Sequence, residues 1–416
     1  MHRYTEFDRH FVRARAAQFR RPVATPSGQR TAAPGTTPGD AYGLLRGDFG
    51  HFTTCQNLQF HWIPLHRAAD VLDLLPGVDM HGIRPSGNCI SNTASDAFAG
   101  IAPDELVDPV KAEGPRFVAA VNQEFAALGA DSTVQCISAC ELTRVATSFI
   151  DSLLPAAEQT AAENGIQPAA YSRWLSRNVQ AHRLPIHRAV TLSLKRAGLP
   201  PGDVTADQMA GASELAKRFG QGEWQVTHDQ NLLLPWVPAA QLAALWVAAR
   251  GGIARPDIGL PMDMIACSGS DLCTPANVRS IPIATALNER FADLDEQHDI
   301  GDIDLHISGC INSCGHHHSS HIGIMGVDKD GSEGYQFTVD GADGSTLSAT
   351  AVAGRVIGPA FADDEVPDAI EFAIDTYRSE RSAGEAFIAT ARRIGPHPFR
   401  TAADAVRRRT AVALTI

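Results

Sequence analysis

HFTTCQNLQFHWIPL, residues 51–65, and QVTHDQNLLLPWVPA, residues 225–239, are two versions of one pattern. Thr53 matches Thr227, Gln56 matches Gln230, Asn57 matches Asn231, Leu58 matches Leu232, Trp62 matches Trp236 and Pro64 matches Pro238, all at one constant offset. In each copy a β-like run passes through Trp and Pro into an amphipathic helical stretch, AADVLDLL in the first and AAQLAALWVAAR in the second. Ungapped self-similarity over a strand–turn–helix unit is the mark of an internal duplication. It predicts two half-units related by a pseudo-two-fold axis, with a site between them.

Outward from the repeat, the chain divides by composition. Residues 1–21 read as a basic amphipathic arm or helix, and 21–43, rich in Pro, Gly, Thr and Ala, as a flexible linker. Residues 111–222 carry apolar residues at three-to-four spacing in PRFVAAVNQEFAALG, ELTRVATSFIDSLL, AAYSRWLSRNV and ADQMAGASELAKRF, which predicts helices. After 257, short apolar runs (DLHIS, HIGIM, YQFTV) alternate with helices, the clearest being 364–381 and EAFIATARRIG. The expected division is an arm and linker over 1–48, a first half-unit over 49–80, and a largely helical middle over 81–220. A second half-unit over 221–256 and a cofactor domain over 257–416 complete it.

Net charge is −12, which argues against a nucleic-acid or anionic-membrane partner. No apolar run approaches membrane-spanning length, and the opening MHRYTEFDRHFVRARAAQFRR has no apolar core segment, so a soluble, cytoplasmic chain is expected. Cytoplasmic thiols stay reduced, and clustered ones more often hold metal than form disulfides.

The chain has eight cysteines, four of them in ACSGSDLC (Cys267, Cys273) and GCINSCG (Cys310, Cys314). Covalent haem attachment would need C-x-x-C-H, which is absent here. The five-residue gap between Cys267 and Cys273 is too wide for a usual zinc knuckle. Zinc held by Cys310, Cys314 and two of His316, His317, His318 and His321 remains a rival. Four thiolates in two pairs better suit a [4Fe–4S] cubane, which takes one thiolate per iron. Gly269, Gly309 and Gly315 would let backbone N–H groups approach the sulfurs and tune the potential. With four thiolates filling the cluster, the histidines are expected to support rather than ligate. Cys136 and Cys140, one helical turn apart, and Cys89 are expected to be structural, and Trp62 and Trp236 to be packing residues.

ACSGSDLC together with SGCINSCGHHHSSHIG resembles the siroheme-dependent nitrite and sulfite reductases, most closely the haemoprotein component of assimilatory sulfite reductase. The resemblance extends to YTEFDRHFVRARAAQFR, the first repeat, SGNCISNTASDAFAGIAPDELVDP, VTLSLKRAGLPPGDVTADQM and most of 220–400. It implies an α+β fold of duplicated ferredoxin-like half-units with an α/β siroheme and [4Fe–4S] domain. It further implies that Cys267, Cys273, Cys310 and Cys314 hold the cluster and that Cys314 bridges to the siroheme iron. Gln56, Asn57, Asn88, Arg279 and Asn312 become candidates to line the cofactor pocket. For Gln56, Asn57 and Asn88 the alternative is turn and strand hydrogen bonding. The implied reaction is six-electron reduction of sulfite to sulfide or nitrite to ammonia, with electrons from a flavoprotein subunit or a ferredoxin.

The chain departs from the family where the anion binds. Cys55 and Ser91 occupy the positions of two arginines, and the family's lysine pair has no counterpart among the four lysines, Lys111, Lys195, Lys217 and Lys329. The segment that would bear the pair is replaced by a direct run from ELVDP into VKAEGPRFV, as an internal deletion would leave it. Arg84, Lys111, Arg116 and Arg279 are the stand-ins available. A non-catalytic iron–sulfur remnant of the family and a zinc-binding protein are the alternative functions.

Overall fold

The computed structural model describes residues 13–15, 49–60, 63, 69–70, 96–103 and 169–413, apart from 197, 251–252, 256, 330 and 345–349. Trp62, Arg84, Asn88, Cys89, Ser91, Lys111, Arg116, Cys136 and Cys140 lie outside the described residues, as does most of the expected arm and linker. The one described piece of the arm, Arg13–Arg15, is a strand (β1) rather than a helix. It adds antiparallel to Asn57–Phe60 (β3), so tertiary pairing at a sheet edge overrides the local helical pattern.

The repeat is visible as backbone register. Phe49–Phe52 (β2) pairs antiparallel with β3 as His51↔Gln59 and Phe52↔Leu58. Gln225–Val226 (β7) pairs with Leu232–Pro238 (β8) as Gln225↔Leu233 and Val226↔Leu232, the same register at the same offset. Each connecting turn closes on its first threonine, with Gln56 N–H donating to Thr53 O at 2.9 Å and Gln230 N–H to Thr227 O at 3.2 Å. Both glutamines take the left-handed conformation, φ 58° and 57°. Such a φ is uncommon for a residue with a Cβ, and its recurrence marks one turn design used twice.

Three sheets organise the described residues. The first runs β1–β3–β2–β6, where β6 is Asp203–Thr205, all antiparallel. The second runs β4 (Val179–Ala181), β5 (His187–Leu192), β8, β7, also antiparallel. Because β6 follows β5 in sequence yet joins β2, the two halves are interlocked by a crossing strand. One apolar core joins them, with Phe52, Leu58 and Phe60 of the first half packed with Leu192, Leu234, Trp224 and Phe219 of the second.

Helices Ala169–Asn178 (α1), Ala206–Phe219 (α2) and Leu242–Ala249 (α3) contribute to this core. The periodic patterns of AAYSRWLSRNV, ADQMAGASELAKRF and AAQLAALWVAAR are therefore helical as read. α2 begins with a capping box: Gln208 N–H donates to Thr205 Oγ1 at 3.2 Å and Thr205 N–H to Gln208 Oε1 at 3.1 Å. The expectation of a largely helical middle does not hold over 179–205, which carries β4, β5 and β6. HRAVTL is a buried, β-branched run sandwiched between β4 and β8, too short to show its period against the flanking helices. The second half is thus built from strands and a helix on both sides of residue 221.

The C-terminal sheet has the order β13–β12–β11–β10–β9, for Arg355–Val356, Ser332–Val339, Ile322–Lys329, Leu305–Ser308 and Ile265–Ala266. β9, β10 and β11 are parallel, and β12 and β13 antiparallel to their neighbours. DLHIS, HIGIM and YQFTV fall on β10, β11 and β12. A short helix, Gly269–Leu272 (α4), follows β9. Ile281–Arg290 (α5), Leu294–Ile300 (α6), Val366–Glu380 (α7), Phe387–Ile394 (α8) and Pro396–Ala413 (α9) complete the domain. Its core gathers Ile307, Ile324, Phe337, Phe361, Ile370 and Phe399 with their neighbours. Open parallel sheets bind ligands beyond the carboxyl ends of their strands. Here those ends are Ala266 and Ser308, and both lead directly into cysteine loops.

A candidate cluster site at the junction of three units

Cys267 is the first residue after β9. Its N–H donates to Ile307 O on β10 at 3.0 Å, and its sulfur accepts the Gly309 N–H at 3.1 Å. Ser280 Oγ lies 3.7 Å from the same sulfur. α4 then turns the chain so that Cys273 N–H closes onto Gly269 O at 2.8 Å. The β10 loop is tied back to this segment, with Asn277 and Val278 N–H groups donating to Gly309 O at 2.9 and 3.1 Å.

Two glycine contacts set how closely the loops approach. A Cβ on Gly309 would lie 2.7 Å from the Cα of Gly269, and one on Gly315 would lie 2.2 Å from Ile307 O. The CINSC loop itself is wound through left-handed Ser313 (φ 54°) and His316 (φ 56°). Ser313 N–H reaches Cys310 O at 3.2 Å, and Gly315 N–H donates to Ser308 Oγ at 3.0 Å. The glycines' expected role, close backbone approach to sulfur, is realised directly at Gly309.

The structure brings the four predicted cysteines together and adds a fifth. Cys310 is buried, Cys267 and Cys273 are partly buried, and Cys314 and Cys55 are exposed; none of the five is in a disulfide. The Cys314 thiol is pushed up to about 11, first by burial of its sulfur and then by Cys267, Cys310, Cys273 and Cys55. Thiols that hinder one another's ionisation are satisfied when cationic iron supplies the missing charge. The donor set, soft sulfur only and fixed on two braced loops, fits an iron–sulfur cluster. Among the described residues, no three His, Cys, Asp or Glu side chains converge on a position for a single metal ion.

Each histidine contacts the loop through one ring nitrogen, a ring contact or its backbone. His317 is buried, with Nδ1 3.2 Å from Ser313 Oγ, and its ring packs on His318 at a centroid distance of 3.8 Å. His321 Nδ1 accepts the Asp304 N–H at 3.1 Å. His316 O accepts from Ser319 N–H at 3.1 Å and lies 3.2 Å from His306 Nδ1. His306 in turn pairs with Asp304 at 2.5 Å.

Contacts from the duplicated halves complete the site, and these the sequence reading missed. Thr54 Oγ1 donates to Cys314 O at 2.6 Å, and His228 Nδ1 lies 2.8 Å from Thr54 O. Gln230, buried in the second turn, donates Nε2 to Phe52 O at 2.7 Å and to Ala266 O at 3.0 Å. Its Oε1 accepts the Ala266 N–H at 3.0 Å. One side chain thus pins the first half, the second half and the residue preceding Cys267. The repeat marked Gln230 as a recurring position; nothing local in the sequence marked Thr54 or His228.

Of the tentative pocket residues, Gln56 is buried in the first turn, and the side chain of Asn57 and all of Asn88 lie outside the described residues. Asn312 sits between Cys310 and Cys314. Arg279 pairs through Nε with Asp271 Oδ1 at 2.8 Å, and its side chain is 57% exposed. Trp236 packs edge-on against His182 and donates to Glu223 at 3.1 Å, the structural role expected of it. Lys195 is buried and engaged: Nζ contacts Asp229 O, Asp263 O and Asp263 Oδ1 at 2.6, 2.8 and 3.1 Å. Asp229, the counterpart of Cys55 in the second copy, is exposed, and its backbone carbonyl accepts from Lys195 Nζ. A mostly apolar cavity of about 310 Å³ adjoins the first cysteine loop at Asp271 and Leu272.

Two family models match the chain. Residues 193–250 match the nitrite/sulfite reductase ferredoxin-like half domain, and 261–408 match the nitrite and sulphite reductase 4Fe-4S domain. The second match contains all four cysteines of the cluster proposal. Over these two stretches the chain is similar to the nitrite and sulfite reductase family. Ferredoxin–nitrite reductase of Synechococcus elongatus is 34% identical over 36% of this chain and 30% of the relative. Sulfite reductase [ferredoxin] of Mycobacterium tuberculosis is 29% identical over 47% of this chain and 36% of the relative. The matched part therefore spans about a third of the length of these curated relatives. The NirA protein of Mycobacterium tuberculosis shares the fold, at a TM-score of 0.64 and 19% identity over 93% of this chain and 84% of that one.

Proposed function

We propose that this chain holds a [4Fe–4S] cluster on Cys267, Cys273, Cys310 and Cys314, with siroheme beside it on the Cys314 side, and reduces sulfite or nitrite. The observation that carries this reading is the convergence of the four thiols at the carboxyl ends of two adjacent parallel strands, in a stretch that matches the family's 4Fe-4S domain. Loaded, the pair of cofactors would supply stored electrons and an iron atom to which an anion can bind.

The protein's own contribution is positional. The Gly309 N–H donates to the Cys267 sulfur and, with a cluster bound there, would draw electron density from that thiolate and favour electron uptake. Thr54 and His228 brace the Cys314 loop from the duplicated halves. Cys314 is the more exposed residue of the CINSC pair and is the ligand that a second group would share. Arg279 and Lys195 are engaged by Asp271 and Asp263, so anion affinity is expected to be low compared with a pocket lined by unpaired cations.

The names of the relatives support a ferredoxin as electron donor. Cysteines outside disulfides suit a reducing compartment such as the cytoplasm. Among the described residues no helix is long and apolar enough to cross a membrane.

Anaerobic purification followed by iron, acid-labile sulfide and zinc analysis and a visible spectrum tests the proposal. Cluster iron and sulfide with siroheme bands, and viologen-linked turnover of sulfite or nitrite, are expected. Zinc without sulfide would refute it, and cluster without haem would reduce the chain to an iron–sulfur protein.

A further inference from the structure

Ser280 stands immediately before α5, where a serine usually caps a helix, yet its side chain makes no cap hydrogen bond. Its backbone is already helical (φ −91°, ψ −32°), whereas a capping residue is extended. Pro282, at the second helical position, has no N–H for a cap to bind. The hydroxyl is turned instead to the Cys267 sulfur, 3.7 Å away. Ser280 is fully buried, and two glycines of the cysteine loops leave room for it. A Cβ on Gly269 would stand 2.7 Å from its Oγ, and one on Gly309 would stand 3.1 Å from it. The same sulfur accepts the Gly309 N–H at 3.1 Å, and the positive end of α5 begins one residue beyond Ser280. In a free thiol either partner could donate. An iron-bound thiolate can only accept, so with a cluster in place the hydroxyl is the donor.

We propose that Ser280 is a positioning residue that sets the reduction potential of the cluster by donating its hydroxyl to the Cys267 thiolate. The inference deepens the cluster reading above and rests on it, without use of the siroheme. One electron from the donor adds one negative charge to the cluster and its thiolates; no proton is taken up and no bond breaks. A hydrogen-bond donor on sulfur therefore stabilises the reduced form more than the oxidised one and raises the potential. The cluster then accepts electrons more readily and passes them on with less driving force. Removing the hydroxyl should make reduction about tenfold less favourable, which is about 59 mV for one electron.

The test measures the midpoint potential of the cluster by spectroelectrochemical titration of the full chain, purified anaerobically, as wild type, Ser280→Ala, Ser280→Cys and Ser320→Ala. Iron and acid-labile sulfide are measured first; a wild type without acid-labile sulfide fails the cluster reading and this inference with it. Ser320→Ala controls for packing, since that hydroxyl is equally buried but bonds His317 O at 3.1 Å and Ile322 O at 3.0 Å rather than a sulfur. Wild type and Ser320→Ala should share one potential. Ser280→Cys should lie below them, because S–H is a weak donor, and Ser280→Ala lowest, by about 59 mV. If Ser280→Ala takes up no cluster, the lowering in Ser280→Cys decides. Ser280 variants at the wild-type potential, or an equal drop in Ser320→Ala, would overturn the proposal while leaving the cluster reading intact.

Discussion

His228 Nδ1 lies 2.8 Å from the carbonyl oxygen of Thr54, and the two residues occupy the same position in the two copies of the repeat. A carbonyl can only accept, so this ring nitrogen carries the proton. Residues related by a two-fold operation approach one another only near its axis, so this contact marks the pseudo-two-fold axis of the duplication. The Thr54 hydroxyl, at the same point, holds the backbone of Cys314. The cluster loop therefore sits where the two halves meet, as a site between duplicated units should.

Replacing Thr54 by Val keeps the shape of the turn and removes the hydroxyl that donates to Cys314 O. A loss of about 1 kcal/mol in unfolding stability is expected. The more sensitive readout is the half-life of acid-labile sulfide in air, which should shorten because the Cys314 loop loses its brace.

Gln230 offers a sharper test, because its amide serves Phe52 O, Ala266 O and Ala266 N at once. Gln230→Leu leaves buried backbone groups of two units unpaired, at a cost of about 3 kcal/mol or more in urea unfolding. Gln230→Glu retains an acceptor for Ala266 N–H and should fall between the two. Equal stability of Gln230→Leu and wild type would remove Gln230 from its role as the pin.

At Gly315 the constraint is steric. A methyl group would stand 2.2 Å from Ile307 O, and that atom belongs to β10 and cannot move aside without breaking the sheet. Gly315→Ala is expected to destabilise the cluster domain by about 3 kcal/mol and to lower iron incorporation. Gly331→Ala, where nothing lies within 4 Å but φ is +82°, serves as the comparison and should cost about 1 kcal/mol without loss of iron.

The His182–His187 pair predicts an acid sensitivity in the second half. Both rings are buried beside Trp236, and His182 is lowered to about 4 by burial and by His187. His187 is lowered by burial as well. A histidine held below its unfolded value of 6.5 binds fewer protons in the folded state. Its contribution is full above about pH 6.5 and is lost as pH falls from there toward about 4. Unfolding stability should drop by on the order of 2 kcal/mol across this window. His182→Phe should flatten that part of the profile.

The sequence carried a great deal of this architecture, because much of it is written in local spacing. Over its described residues the repeat reappears as identical strand registers and as two left-handed glutamines. The two cysteine pairs read as one site, and the fold places them side by side because each follows an adjacent parallel strand. The strands at 179–205 were not legible. Their apolar residues are buried by partners distant in the chain, and a short fully buried strand has no periodicity of its own to read.

What the sequence alone carried, then, was the duplication and the spacing of the four cysteines expected to hold a cluster, since both depend on residue types at fixed spacing. The tertiary structure decided how these parts meet. It set Thr54 on Cys314, Gln230 across three units, Arg279 on Asp271 and Lys195 on Asp263, and it brought Cys55 to the thiol cluster. Hydrogen bonds and ion pairs between residues far apart in the chain depend on where packing delivers the backbone, and no local pattern encodes that position.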